Sequence, residues 1–382
     1  MPHVAVKPEL VRWARERASL SVEELGRRFS KIEAWELGEA QPTFKQLEAF
    51  AKVTHVPIGY LFLPEPPEER LPIPDFRTVS DTVLERPSPD LLDTIFTMQR
   101  RQAWLREERI EYEADPLDYV GSAQLADDPG AVGREMRRVL GFDDGWAAGV
   151  RTWQQAVGEL RRAIEWLGVM AVINGVVGND THRKLDMEEF RGFVLSDAYA
   201  PLVFVNGADA KSAQMFTLAH ELAHLWLGQE GLSGFKDLLP GGTDVEDWCN
   251  RAAAEFLVPA EEMKAYWRAR RREPDPFLVL ARQFKVSPIV VGRRAMDLRL
   301  VDRETFFAFY RTYVAQERTR SAGAGGGNFY YNQNARVGVL FATQVIRAAK
   351  EGRVSFKEAY DLTGLHGGSF QEYAHRLEVD LP

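Results

Sequence analysis

Residues 216–228, FTLAHELAHLWLG, constrain this chain more than any other stretch. Apolar residues recur there at helical spacing and Gly228 offers a stop, which predicts a helix over 211–227. On a helix, positions i and i+4 lie one turn apart on one face, so His220 and His224 can share a metal ion. Glu221 sits about 100° further round. It is poorly placed to ligate beside them, but it can reach a water held by the metal. With seven histidines in the chain, chance produces an H-E-x-x-H pattern in roughly one such chain in a hundred. Strand-like runs ahead of the helix make a coincidence rarer still.

The chemistry this pattern suits is hydrolytic. Zinc lowers the pKa of a water it holds to about 7. Glu221 would take that proton as hydroxide attacks a peptide carbonyl, then return it to the leaving amine. A catalytic zinc needs a third protein ligand and one open position. Downstream candidates are Glu230, Asp237, Asp244, Glu246, Asp247 and Glu255. Glu246 is preferred, because a helix predicted from 244 to 257 can return alongside the first. On it Glu246, Cys249, Asn250, Ala253 and Leu257 share one face. A competing role exists: Thr243 followed by Glu246 is a capping-box spacing that would turn the carboxylate back on its own chain. Capping by Asp244 would release it. The oxyanion of a tetrahedral intermediate also needs a donor, for which His182, Arg191 and Tyr199 are candidates that nothing local separates.

Around this centre the chain reads as several parts. Its 382 residues are too many for one small core. Residues 1–64 read as short helices, with Leu10, Trp13, Ala14 and Arg17 on one stripe and a capping box at Ser21/Glu24. Five prolines between 64 and 74 cannot continue a helix. A Pro-rich linker and helical connector is therefore assigned to 65–150, with a long polar helix at 89–113. The peptidase-like part spans 151–318. It has an amphipathic helix and strands at 169–173, 191–196 and 202–206 ahead of the metal helix. A Gly-rich linker at 319–327 leads to a helical module at 328–382, with capping-box patterns at Ser355/Glu358 and Ser369/Glu372. The one cysteine, Cys249, cannot form an internal disulfide, which suits a reducing compartment. Neither a secretion signal nor a membrane-length apolar run is present, so a cytoplasmic protein is expected.

RGFVLS…PLVFVN…FTLAHELAHLWLG…VEDWCNRAAAEFLVP resembles the ImmA/IrrE family of metallopeptidases. The shared pattern is a strand, F-T-x-A-H-E-x-x-H, then E-x-x-A-N-x-x-A-x-x-L-x-x-P. It covers about residues 150–300. The resemblance implies an α+β, mainly helical chain with a zincin-like (gluzincin-like) core and a small β-sheet. It implies that His220, His224 and Glu246 bind zinc and that Glu221 is the general base. Cys249 departs from the pattern, standing where the family commonly has alanine. It reads either as a small buried residue or as a thiol that modulates the metal.

Residues 21–43, SVEELGRRFSKIEAWELGEAQPT, resemble the helix-turn-helix of XRE-type repressors, most clearly in Trp35, Glu36, Gly38, Pro42 and Thr43. Only nine residues separate Leu25 from Trp35, about four fewer than that motif carries, which removes the turn that presents a reading helix to base edges. Residues 1–64 hold nine Lys/Arg against eight Asp/Glu, with Glu33, Glu36 and Glu39 beside the reading face. Few phosphate contacts are on offer, and the whole chain carries a net charge of −8. Protein docking or homodimerisation is thus expected of this part before DNA binding. A second segment, 280–301, has a helix-turn-helix rhythm but is expected to pack on the core despite Arg293 and Arg294. The resemblance implies a regulatory endopeptidase that cleaves a helix-turn-helix repressor in stress response or mobile-element control. The alternatives are an antitoxin-like protein that neutralises a PIN-type ribonuclease toxin with its C-terminal module, and a DNA-binding autoregulator.

Overall fold

Pro8 pre-sets φ for the first turn of a helix, and in the computed structural model of the chain it opens α1 (Pro8–Arg17). The structure describes residues 3–74, 87–233, 243–317 and 329–379. The expected linker at 319–327 and the candidate ligand Asp237 lie outside the described residues. By contact the chain divides into two units, Met1–Pro72 with Leu84–Ile95, and Ile73–Val83 with Phe96–Pro382.

In the first unit α1 is followed by α2 (Val22–Gly26), α3 (Ile32–Glu36), α4 (Phe44–Val53) and a 3-10 turn at Ile58–Phe62. The box at Ser21/Glu24 forms, with Glu24 N donating to Ser21 Oγ at 3.1 Å and Ser21 N to Glu24 Oε2 at 2.8 Å. Thr43 and Gln46 make a second box. The core gathers Leu10, Ala14, Leu25, Ile32 and Leu47 around the rings of Phe29, Trp35 and Phe50. Arg17 extends the α1 stripe by pairing with Glu69 at 2.6 Å. Glu36 does not flank a reading face. It is buried where α1 meets α3 and pairs with Arg15 at 2.6 Å, because a carboxylate in that contact needs a partner.

The second unit takes in α5 (Pro89–Glu111) from Phe96 onward, then α6 (Pro129–Val139), α7 (Trp146–Gly149) and α8 (Trp153–Trp166). Strands follow: β1 (Met170–Asn174), β2 (Val176–Val177), β3 (Asp180–Lys184), β4 (Gly192–Leu195), β5 (Leu202–Asn206) and, after the next helix, β6 (Gly231–Ser233). β2 and β3 form a separate hairpin. The main sheet has the order β1-β5-β4-β6, with β1 parallel to β5 and the other pairs antiparallel. Every residue of β1, β4 and β5 is buried, which is why these strands read as continuous apolar runs. α9 (Lys211–Leu227) packs on β4 and β5, and α8 packs on β1 and α9. Gly228 ends α9 with φ +66°. Its last carbonyls are satisfied from another segment: Gly121 N donates to Leu225 O at 2.9 Å and Ala123 N to Trp226 O at 2.8 Å.

α10 (Asp244–Leu257) packs against both α9 and α6. The contact with α6 depends on Gly133, where a Cβ would come within 2.5 Å of the Ala252 carbonyl oxygen. α11 (Ala260–Arg270), α12 (Pro276–Phe284), α13 (Pro288–Asp297) and α14 (Arg303–Glu317) complete this part. The basic pair of segment 280–301 turns to acids on the core: Arg294 pairs with Glu255, and Arg293 with Asp297 at 3.0 Å and Asp247 at 3.6 Å.

Four further helices, α15 (Phe329–Val337), α16 (Val339–Lys350), α17 (Phe356–Thr363) and α18 (Gly367–Arg376), group by contact with the same unit. Arg161 and Glu165, one turn apart on α8, hold the joint between the first two. Arg161 donates to Asn334 O at 2.9 Å near the end of α15, and Leu340 N at the start of α16 donates to Glu165 at 3.4 Å. Each charge thus meets the helix end of opposite partial charge. Gly338, at φ +86°, lets Glu165 approach, since a Cβ there would lie 3.0 Å from its carboxylate. Ser355 caps α17 as expected. The box at Ser369/Glu372 does not form: α18 begins two residues earlier, Ser369 bonds back to His366, and Glu372 pairs with Arg376. Among the described residues no helix is long and apolar enough to cross a membrane.

Replacing Gly133 with Ala should destabilise the protein by about 1–3 kcal/mol, because backbone on the facing helix cannot yield to the added methyl. An unchanged midpoint in denaturant unfolding would show that α6 and α10 can separate freely. Glu165 supplies a pH test. Burial raises its carboxyl from 4.5 to about 7, against the opposing pull of Arg161, the backbone N–H groups of Val339 and Leu340, and Arg162. Between those values the folded chain keeps a proton that the unfolded chain releases. The contribution is therefore full below pH 4.5 and lost by about pH 7. Glu165→Gln should flatten that decline and be the more stable form at pH 8. A less stable Gln variant at pH 8 would mean that the Arg161 ion pair outweighs burial.

Candidate metal centre

α9 brings His220 and His224 to one face, and α10 carries Glu246 against them. The Glu246 carboxylate lies 3.0 Å from His220 Nε2 and 3.2 Å from His224 Nε2, and the two Nε2 atoms are 3.1 Å apart. The carboxylate uses both oxygens, Oε2 toward His220 and Oε1 toward His224, so the two rings and the carboxylate face one small space. Four ligands placed tetrahedrally about 2.0–2.1 Å from a zinc ion stand about 3.3–3.4 Å apart. The separations of 3.0–3.2 Å between facing donor atoms lie within a few tenths of an ångström of that spacing. Two imidazoles and a carboxylate are also the donor set such an ion takes. Among the described residues these three form the group of His, Cys, Asp and Glu side chains able to hold a metal.

Burial shapes the electrostatics. His224 and Glu246 are fully buried and His220 is 3% exposed. Desolvation lowers the His224 pKa, against the opposing pull of Glu246, and so favours the neutral ring, the form that ligates. Burial alone would raise Glu246, but its contacts with His220 and His224 outweigh burial and hold the carboxyl well below its ordinary range. The competition between ligand and cap at Glu246 is resolved within one motif. Thr243 is the N-cap and accepts from the Glu246 backbone N–H at 3.3 Å, while the Glu246 side chain turns to the histidines. Only half of a capping box forms, and the carboxylate stays available without capping by Asp244.

Glu221 is fully buried beside β4. Gly192 makes room for it: a Cβ there would fall 2.6 Å from Glu221 Oε1 and 2.7 Å from Thr217 Cγ2. The sequence reading missed Gly192, and a glycine opening an apolar strand was the one available signal. Cys249 is buried, and desolvation with the charges of Glu246 and Glu221 raises its thiol pKa well above normal. It is therefore a neutral small side chain near both acids. Asn250 Oδ1 lies 3.1 Å from His220 Nδ1.

The other candidates have contacts of their own. His182 is exposed on β3, its backbone N–H bonded to Asp180. Arg191 pairs with Asp209 at 3.4 Å. Tyr199 sits in the turn between β4 and β5, its carbonyl accepting from Arg109. Asp247 and Glu255 meet Arg293 and Arg294, Glu230 accepts from the Ser196 backbone, and Asp244 is exposed at the start of α10.

Residues 169–296 match the IrrE N-terminal-like domain of the peptidase M78 family. This segment runs from β1 to α13 and includes all four residues of the site. Residues 337–376 match a domain of unknown function, DUF8813. No curated protein matches the chain. The first match supports a peptidase type of hydrolase of ImmA/IrrE kind, carried by the central part of the chain.

Glu246→Ala should lower the metal bound per chain to a small fraction of the unaltered protein's, whereas Glu255→Ala should leave it intact. Metal analysis after dialysis reads the difference, and equal retention by both would remove Glu246 from the site.

Proposed function

We propose that this protein is a zinc-dependent regulatory endopeptidase whose substrate is a helix-turn-helix repressor. The observation that carries the reading is the buried triangle of His220, His224 and Glu246, with Glu221 next to His220 on the same helix. Zinc held there would supply Lewis acidity toward a peptide carbonyl and toward water. The protein supplies the rest. His220, His224 and Glu246 fix the ion in place through short, buried contacts. Glu221, held by the floor that Gly192 leaves open, accepts the proton of the attacking water and delivers it to the departing amine. Glu246 stays ionised, and its negative charge offsets part of the ion's charge.

The IrrE-like match and the repressor-like pattern at 21–43 support the choice of substrate. In the first unit Leu37 and Phe44 are 60% and 52% exposed. Such apolar side chains suit a protein partner, or a second copy of this unit, better than a phosphate backbone. The antitoxin reading asks the C-terminal helices to wrap a toxin. Those helices are already engaged: Arg101 donates to Leu362 O and Arg336 O, and Asn179 to Gly364 O. This favours the catalytic reading.

Glu221→Gln should retain zinc and lose cleavage by roughly 100-fold or more. The zinc-loaded protein would be incubated with recombinant helix-turn-helix repressors from the same genome and the products read by intact mass. Cleavage by the Gln variant at the unaltered protein's rate would remove Glu221 as general base.

A further inference from the structure

We infer that Asn250 is a positioning residue for the metal centre, accepting a hydrogen bond from His220 Nδ1 and so selecting the imidazole tautomer whose Nε2 can ligate. The inference rests on the metal-site reading above and deepens it. A neutral imidazole has one N–H and one lone pair, and either nitrogen can hold the proton. His220 Nε2 faces Glu246 Oε2 at 3.0 Å and His224 Nε2 at 3.1 Å. Left to itself, the ring gains most by placing its proton on Nε2 and donating to the carboxylate, since a bond to an ionised acceptor is the stronger kind. That tautomer blocks the metal. The amide oxygen of Asn250 stands 3.1 Å from Nδ1 and accepts only, so it draws the proton to the other side of the ring.

The arrangement is built into one helix. Asn250 follows Glu246 by one turn on α10, so ligand and orienting residue project from the same face toward α9. Any adjustment of α10 that carries the carboxylate to the histidines carries the acceptor to Nδ1 as well. Phe216, one turn before His220, packs beside the ring at a centroid distance of 6.2 Å and limits its rotation. Beyond the ring, Asn250 lines a shallow pocket with Phe216, Arg251 and Ala254. Water entering there could replace a deleted acceptor, so Asn250→Ala is a poor test. Asn250→Leu fills the space and offers no acceptor, whereas Asn250→Asp offers only acceptors.

Two readouts decide the matter. In the metal-free protein, long-range 1H–15N correlations should show His220 protonated on Nδ1, and the proton should move to Nε2 in Asn250→Leu. In competition with a zinc chelator, Asn250→Leu should bind zinc 10- to 100-fold more weakly, and Asn250→Asp at least as tightly as the unaltered protein. A Leu variant that keeps both the Nδ1–H tautomer and full affinity overturns the inference. So does an Asp variant that binds zinc about 10-fold or more weakly than the unaltered protein, and this comparison stands if the Leu variant fails to fold. Failure of the unaltered protein to bind zinc would sink the peptidase reading, while the tautomer measurement would still decide the role of Asn250.

Discussion

A carboxylate held 3.0 and 3.2 Å from two buried imidazoles is the contact on which the second unit depends. Removing a carboxylate from water costs several kcal/mol unless charge and hydrogen bonds replace the solvent. Glu246 meets that demand only if α10 lies close against α9, and small side chains permit the approach. Cys249, Ala252 and Ala253 are all fully buried along α10. Gly133 does the same on its α6 side. Both ends of α10 are fixed as well. Thr243 caps the first turn, while Arg294 donates to Val258 O just past the last turn and pairs with Glu255. A ligand three residues into a helix with both ends anchored has little freedom to drift.

Glu221, the proposed general base, is positioned by a different constraint. Histidines and third ligand come from helices, but the wall beside Glu221 is a strand. With glycine at 192, β4 can run past the carboxylate without contact closer than van der Waals distance, and β5 and β6 hold β4 from either side. Residues 121–123 tie down the far end of α9 through its terminal carbonyls. Glu246 and the wall beside Glu221 therefore rest on separate supports, α10 and β4, while α9 carries His220, Glu221 and His224 together.

Much of this centre was legible in the residues. The bounds of α9 and α10 follow from helical periodicity, the glycine at 228 and the cap at Thr243, all local signals. The three main-sheet strands read clearly because burial on both faces leaves them uniformly apolar. What escaped was decided at a distance. β6 has three residues, too few for a periodic signal, and exists because β4 offers an edge. Asp180–Lys184 is polar and mostly exposed, so β3 is specified by its partner β2 and not by pattern. Ser369/Glu372 had the right spacing but lay inside a helix that starts at Gly367. Spacing alone does not say which turn comes first. Gly192 and Asn250 were visible as letters, but their roles depend on which atoms another element brings to them.

In the repressor-like start, the residues of the motif serve the packing of the first unit. Trp35 is spent on the ring cluster with Phe29 and Phe50. Glu36 is spent on Arg15. Gly38, at φ +76°, turns the chain out of α3 close to Pro8, where a side chain would be strained. Thr43 caps α4. Four of the residues that suggested a helix-turn-helix, Trp35, Glu36, Gly38 and Thr43, thus have a job in stabilising these short helices. α3 meanwhile spans five residues, little more than one turn, with Ile32 and Trp35 facing inward. A helix that short, with its central residues in the core, has few side chains left to present in a groove. Its apolar neighbours Leu37 and Phe44 face outward instead.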